Sequence, residues 1–236
     1  MAELTANFTA MASEVTLRVV EPTEAAAAAL VKAQRIIEDV AAACTRFDPA
    51  SPLMRANAAP DQWHIVPSVC AEAIAAAHGA YLATDGRFDP RILTDLQRVG
   101  YAESRSFSSS PELDFGVAGP TVAASHRAPW SPEFDGRRLR IGADPIDLGG
   151  IGKGLAVRWA MAELEGHGAG VLVDAGGDLM TMGCSPEGGP WHIGVENPWA
   201  SDAEPLVVLD ASDAAVATSC IRLRSWVNSG RTVHHL

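Results

Sequence analysis

From Phe8 to Val20, β-branched and apolar residues alternate in part with polar ones, the period-two pattern of a strand with one buried face. Glu21-Pro22-Thr23 interrupts it. An Ala-rich stretch then runs to about Cys44, with Leu30, Ile37, Val40 and Ala41 on one helical face and Lys32, Arg35 and Asp39 turned outward. The pattern predicts a strand, a turn and a helix laid on a sheet, ended by Phe47-Asp48-Pro49. Pro67 to Ala83 predicts a second helix, with Pro67 in the first turn, an apolar stripe of Val69, Ala73, Ile74, Ala77 and Tyr81, and a turn at Asp85-Gly86. Tyr101 to Trp130, rich in Ser, Pro and Ala, has little period and reads as a variable loop in which Thr121-Val-Ala-Ala is strand-like.

Strand patterns dominate the second half: Arg138 to Ile141, Gly170 to Asp174, Trp191 to Glu196, Leu206 to Asp210 and Ala214 to Thr218, with one clear helix, Gly152 to Leu164, among them. Only one strand–helix unit offers a parallel crossover, so the order predicts an α+β fold with helices packed on largely antiparallel sheets. Neither an internal repeat nor a separating linker is visible, and residues 1–236 read as one domain.

Charge removes some partners. Eighteen Lys plus Arg against 29 Asp plus Glu leave a net charge of −11, which repels nucleic-acid backbones and anionic membrane surfaces. The longest apolar run, Ala25 to Val31, is far short of the roughly 20 residues that cross a bilayer. Met1-Ala-Glu-Leu-Thr has neither the basic start nor the apolar stretch of a secretory leader, so a cytoplasmic setting is the expectation. Cys44, Cys70, Cys184 and Cys220 are widely spaced and read as reduced residues, not as a zinc site or a disulfide framework. The chain has two lysines, Lys32 and Lys153, which draws notice to the second.

Lys153 lies in Ile146-Asp147-Leu148-Gly149-Gly150-Ile151-Gly152-Lys153-Gly154, directly before the predicted helix. Glycines let backbone approach a ligand, and free N–H groups at a helix terminus attract anions, so a phosphate or pyrophosphate is the natural guest. The spacing fits neither a P-loop nor the dinucleotide fingerprint, and a tight strand-to-helix turn is the plainer alternative. A second cluster, Val173-Asp174-Ala175-Gly176-Gly177-Asp178-Leu179, is read either as a hairpin turn or as a device that brings Asp178 and backbone amides to the same sheet edge.

Taken with Phe47-Asp48-Pro49, Ser51, Leu53, Arg55, Asn57, Gly86-x-Phe88-Asp89-Pro90, Pro190-Trp191-x-Ile193-Gly194, Ala217-Thr218-Ser219 and His234-His235, the two clusters occur in the order seen in FAD:protein FMN transferases. The chain resembles an ApbE-like flavin transferase over nearly its whole length. The resemblance implies an ApbE-like, T-fold-related α+β architecture and transfer of FMN from FAD to a Ser or Thr hydroxyl of a flavoprotein acceptor, with AMP released and magnesium required. It also leaves two alternatives: hydrolysis of FAD, and a flavin-binding module without turnover.

Residue by residue, the resemblance implies that Met11 lies beside the flavin and that Phe47 stands where a Tyr usually faces the isoalloxazine or adenine. Phe88, Asp89 and Pro90 would line the FAD pocket, Asp147 and Lys153 would contact FAD, and Thr218 and Ser219 would form another pocket edge. The Gly150 carbonyl would be a magnesium ligand and His235 the general base. Departures are Pro90-Arg91-Ile92-Leu93 after Phe88-Asp89, and Cys220 after Ala-Thr-Ser. Family members continue past His-His with Asp-Pro-x-Thr-Gly, so the expectation is a shortened ApbE-like domain, its C-terminal segment missing and its own activity low.

Overall fold

The structure, a computed structural model, describes residues 1–103, 128–197, 204–219, 225–228 and 231–234. In chain order the elements are β1 (Glu3–Ala10), β2 (Ser13–Val20), α1 (Ala26–Cys44), α2 (Pro52–Asn57), β3 (His64–Ile65), α3 (Ser68–Ala83), α4 (Leu93–Arg98), β4 (Glu133–Asp135), β5 (Arg138–Arg140) and α5 (Gly152–Leu164). There follow β6 (Gly170–Ala175), β7 (Asp178–Gly183), β8 (Trp191–Val195), β9 (Val207–Ala211), β10 (Ala214–Val216), β11 (Ser225–Asn228) and β12 (Arg231–His234). Every strand pairing among the described residues is antiparallel, as expected from the order of elements. None of the described helices is long and apolar enough to cross a membrane. Most of the Tyr101–Trp130 loop, with its strand-like Thr121-Val-Ala-Ala, lies outside the described residues.

The chain divides into two compact units, neither of which is a single run of sequence: residues 1–42 with 151–218, and residues 43–150 with 219–236. In the first, five strands form one sheet in the order β1-β2-β6-β7-β10. Val15, Leu17 and Val19 of β2 stand opposite Ala175, Val173 and Val171 of β6, and all six are buried. Full burial of such a side chain is worth about 1.5–3 kcal/mol, and a one-residue slip would carry Thr16 and Arg18 inside instead, so this row fixes the register. Helix α5 packs on β6 and β7 through its face of Leu155, Ala156, Ala160, Met161 and Leu164. The β8–β9 hairpin supplies Trp191 and Ala211 to a second cluster with Val20 and Leu172, and Arg18 lies 5.5 Å from the Trp191 ring centroid.

The single strand expected from Phe8 to Val20 is a hairpin. Met11 and Ala12 form its two-residue turn at φ 52° and 54°, the left-handed region that a mirror-type turn demands and that side chains resist. With neither Gly nor Asn at the turn, the alternating pattern runs through it unmarked. Ala12→Gly should raise stability by about 0.5–1 kcal/mol, since relief of strain near 1–2 kcal/mol exceeds the entropy glycine adds to the unfolded chain. A urea midpoint unchanged or lowered by the substitution would show that the turn holds no such strain.

In the second unit, α2, α3 and α4 accompany a three-stranded sheet ordered β3-β5-β4 and the β11–β12 pair. Leu96, Tyr101 and Trp226 form a buried cluster there, and the Trp226 indole N–H donates to the Val99 carbonyl at 2.7 Å. Two motif residues act through the backbone. The Ser51 hydroxyl caps α2 by accepting from Met54 N–H at 3.1 Å and donates to the Thr45 carbonyl at 2.7 Å. The Asn57 amide bonds Ile146 in both directions, Nδ2 to its carbonyl at 2.8 Å and Oδ1 from its N–H at 2.9 Å, and so fixes how the chain enters Asp147.

Candidate functional site

In the first unit, two hairpin turns and the end of β10 come to one end of the five-stranded sheet, because β2 pairs with β6 and β7 with β10 in registers that align Val15 with Ala175 and Leu179 with Val216. Gly176 and Gly177 form the second turn at φ 65° and 90°. A Cβ on Gly176 would lie 2.6 Å from the Ser13 hydroxyl oxygen, so that position resists a side chain by contact as well as by conformation, while one on Gly177 would lie a tight 3.2 Å from Thr218 Cβ, and there the positive φ is the main bar. Asp174 Oδ1 accepts from Gly177 N–H at 2.9 Å and pins the turn. The hairpin alternative and the sheet-edge alternative for this cluster both describe the molecule.

Asp178, first residue of β7, accepts from Thr218 N–H at 3.3 Å through Oδ1 and faces the Lys153 ammonium at 3.5 Å through Oδ2. The Lys153 and Asp178 side chains are 17% and 19% exposed, so the pair is well shielded yet reachable. The other lysine, Lys32, pairs with Glu163 on the surface at 3.1 Å. Helix α5 begins at Gly152 without a side-chain cap at Ile151 and without an acid in its first turn, which leaves first-turn N–H groups to an incoming acceptor. Met11, Lys153 and Thr218, far apart in sequence, thus reach one sheet end with Asp178. An ammonium beside uncapped amides is the composition of an anion site.

The second unit gathers another group. Asp147 N–H donates to the Pro90 carbonyl at 2.7 Å, its Oδ1 accepts from Gly149 N–H at 2.8 Å, and its Oδ2 meets Arg46 Nε at 3.0 Å. A Cβ on Gly149 would lie 2.8 Å from Asp147 Oδ1, and one on Gly150 would lie 3.3 Å from the Phe88 ring, so the paired glycines let the turn close over both side chains. Burial pushes the Asp147 carboxyl above its ordinary range, with the Arg46 charge and the Gly149 N–H pulling the other way.

Asp89 is bound to Arg91, accepting from its backbone N–H at 2.9 Å and from Nε and Nη2 at 3.0 and 2.8 Å. The Phe47 ring, 39% exposed, stacks 4.2 Å from the Arg46 guanidinium carbon. Ser219 is exposed and is not joined to this group by any described contact, while His235 lies outside the described residues. Sequence reading missed Arg46: a basic residue after a helix has no distinguishing local pattern, and its partner Asp147 is remote in the chain.

No three or more His, Cys, Asp or Glu side chains among the described residues are grouped to hold a metal ion. Magnesium keeps several waters and is usually held by one or two carboxylates together with substrate phosphates, and among the described residues the Gly150 carbonyl stands without such a carboxylate group around it.

Comparison with known proteins adds the following. Residues 11–236 match the model of the ApbE family. A Chlamydia pneumoniae protein named FAD:protein FMN transferase is 28% identical over 195 residues, covering 80% of this chain and 58% of the relative. A Treponema pallidum protein of the same name is 27% identical over 128 residues, covering 50% of this chain and 33% of the relative. The chain therefore spans a third to less than two thirds of these curated relatives. The ApbE protein of Thermotoga maritima superposes with a TM-score of 0.79 at 24% identity, over 99% of this chain and 75% of that one. Flavin transferase ApbE of Vibrio cholerae gives 0.71 at 18% identity, over 96% and 74%. The α+β architecture is theirs.

Proposed function

This chain belongs to the ApbE family, and from that premise we propose that it transfers FMN from FAD to a Ser or Thr hydroxyl of a flavoprotein acceptor, releasing AMP. The observation that carries the reading is the shielded Lys153 at the uncapped start of α5, inside the stretch matched to the family. In the reaction the acceptor oxygen forms a bond to the phosphorus of the FMN half, the bond from that phosphorus to the AMP oxygen breaks, and the hydroxyl proton passes to a base.

Lys153 has three donors and engages Asp178 with one carboxylate oxygen, so it can keep that partner while donating to a phosphate oxygen. First-turn amides of α5 add fixed dipoles toward the same charge. Asp147 keeps the glycine turn in shape and presents its remaining lone pairs to FAD, and His235 takes the proton. Met11, Phe47, Phe88, Asp89, Pro90, Thr218 and Ser219 complete the FAD contacts in this reading. Magnesium belongs to it as an expectation from family resemblance, and no step here is routed through a metal.

Incubation of the chain with FAD, magnesium and a Ser- or Thr-bearing acceptor, followed by intact-mass measurement, tests the proposal. Acceptor carrying FMN supports transfer; AMP and FMN without an adduct would mean hydrolysis, and bound FAD without products a binding module. Lys153→Ala should weaken FAD binding by about 1–3 kcal/mol, the range for a charge-assisted bond to phosphate. Fluorescence titration checks it, and unchanged affinity would put the pyrophosphate elsewhere.

A further inference from the structure

Arg46 is a buried charge whose setting is costly for fold stability alone. It is 9% exposed overall, and its guanidinium carbon lies 4.2 Å from the Phe47 ring centroid and 4.1 Å from that of Tyr101. Nε reaches Asp147 Oδ2 at 3.0 Å, Nη1 donates to the Tyr101 carbonyl, and Nη2 is buried with no partner among the described residues. Placing a charge between two rings and leaving one arm unpaired is a poor way to fill a core, because apolar residues of similar volume would satisfy the same space. What the arrangement does secure is Asp147: both carboxylate oxygens are held, one by Arg46 and one by the Gly149 N–H.

We infer that Arg46 is a positioning residue for FAD recognition: through Asp147 it holds the Gly149–Gly150 turn in the shape that binds the nucleotide. The path is short and every link is a contact in the structure. Arg46 orients the carboxylate, the carboxylate orients the Gly149 amide, and the turn packs over Phe88. Without the guanidinium, the carboxylate has one fixed oxygen and a free torsion, and the turn loses its reference point. The inference rests on the FAD reading for its functional half, while the link from Arg46 to the turn stands on geometry alone.

The test uses the full chain and two readouts, FAD affinity by fluorescence titration and amide hydrogen exchange at Gly149 and Gly150 in the absence of ligand, for Arg46→Met, Asp147→Asn and the double variant. Because Arg46 acts through Asp147, which in this reading also contacts FAD, Arg46→Met should lose roughly 10- to 100-fold in FAD affinity, the loss expected when a hydrogen bond to a charged group is removed, Asp147→Asn should lose at least as much, and the double variant no more than Asp147→Asn alone. The Gly149 amide should exchange faster in Arg46→Met than in the unaltered chain.

Wild-type protection of Gly149 in a folded Arg46→Met protein would overturn the inference, and so would additive losses in the double variant. Failure of the unaltered chain to bind FAD would overturn the FAD reading instead, with amide exchange still deciding whether Arg46 holds the turn. Should Arg46→Met not fold, Arg46→Lys takes its place: it keeps the charge and loses the fork, so faster Gly149 exchange is expected and wild-type exchange overturns the claim.

Discussion

Asp147→Leu should lower the stability of the fold by about 3–5 kcal/mol, the usual penalty when one member of a buried ion pair is removed and the other is left behind. Arg46 would then sit between Phe47 and Tyr101 with its charge uncompensated, and the Gly149 N–H would lose its acceptor. Arg46→Met combined with Asp147→Leu should recover most of the loss, since the two rings accept an aliphatic chain. Urea denaturation of the three proteins checks this, and a single variant as stable as wild type would show that the pair contributes nothing to the fold.

Acid provides a second arm. Burial holds the folded-state pKa of Asp147 above its ordinary value of 3.8, so on acidification the folded protein takes up this proton before the unfolded chain does. The stability of wild type relative to Asp147→Asn should accordingly improve as pH falls through that interval. Glu3 behaves in the opposite sense. Its hydrogen bond to Arg18 holds it below 4.5, and the stability it contributes is lost as pH falls through its folded value.

His235→Ala should slow FMN transfer by about 10²–10⁴-fold while leaving FAD binding nearly intact, because a hydroxyl nucleophile stays protonated at neutral pH unless a positioned base takes its proton. His234→Ala is the internal control and should be mild. The comparison is made at saturating FAD with the acceptor scored by mass. Equal, modest losses in both variants would pass the role to a carboxylate, with Asp178 the first to try: it already lies beside Lys153 at the sheet end.

What could be read from the sequence depended on whether the cause was local. Helix α5 was legible to the residue, because Gly152 and Leu164 bound an uninterrupted helical stretch, and α3 differed only in that Pro67 precedes the first turn and does not belong to it. The β1–β2 turn was not, since Met11 and Ala12 carry none of the chemistry that marks a turn. Helix α2 is six residues, too short for a periodic signal, although Ser51 caps it.

At the site, the Gly149–Gly154 run and the Gly176-Gly177 pair are visible as patterns, and the sequence offers Asp178 at the same sheet edge as the first cluster, whereas its pairing with Lys153 is known only from the structure. The Arg46–Asp147 pair and the two-way bond between Asn57 and Ile146 join remote segments by single side chains, and no periodicity encodes them.

The interleaved chain order of the two units also sets a timetable for synthesis. Strand β2 precedes its partner across the sheet, β6, by about 150 residues, so Leu17 has no Val173 to meet until that whole stretch has left the ribosome. At ~5–20 residues per second that wait is on the order of ten seconds, far longer than the microseconds a hairpin needs to form. For that interval β1 and β2 can pair only with each other, a hairpin that is marginally stable alone, and the β2 edge that β6 will take stays open to strangers. Nascent-chain chaperones should therefore bind this protein early, at the first hairpin, and let go only when β6 arrives.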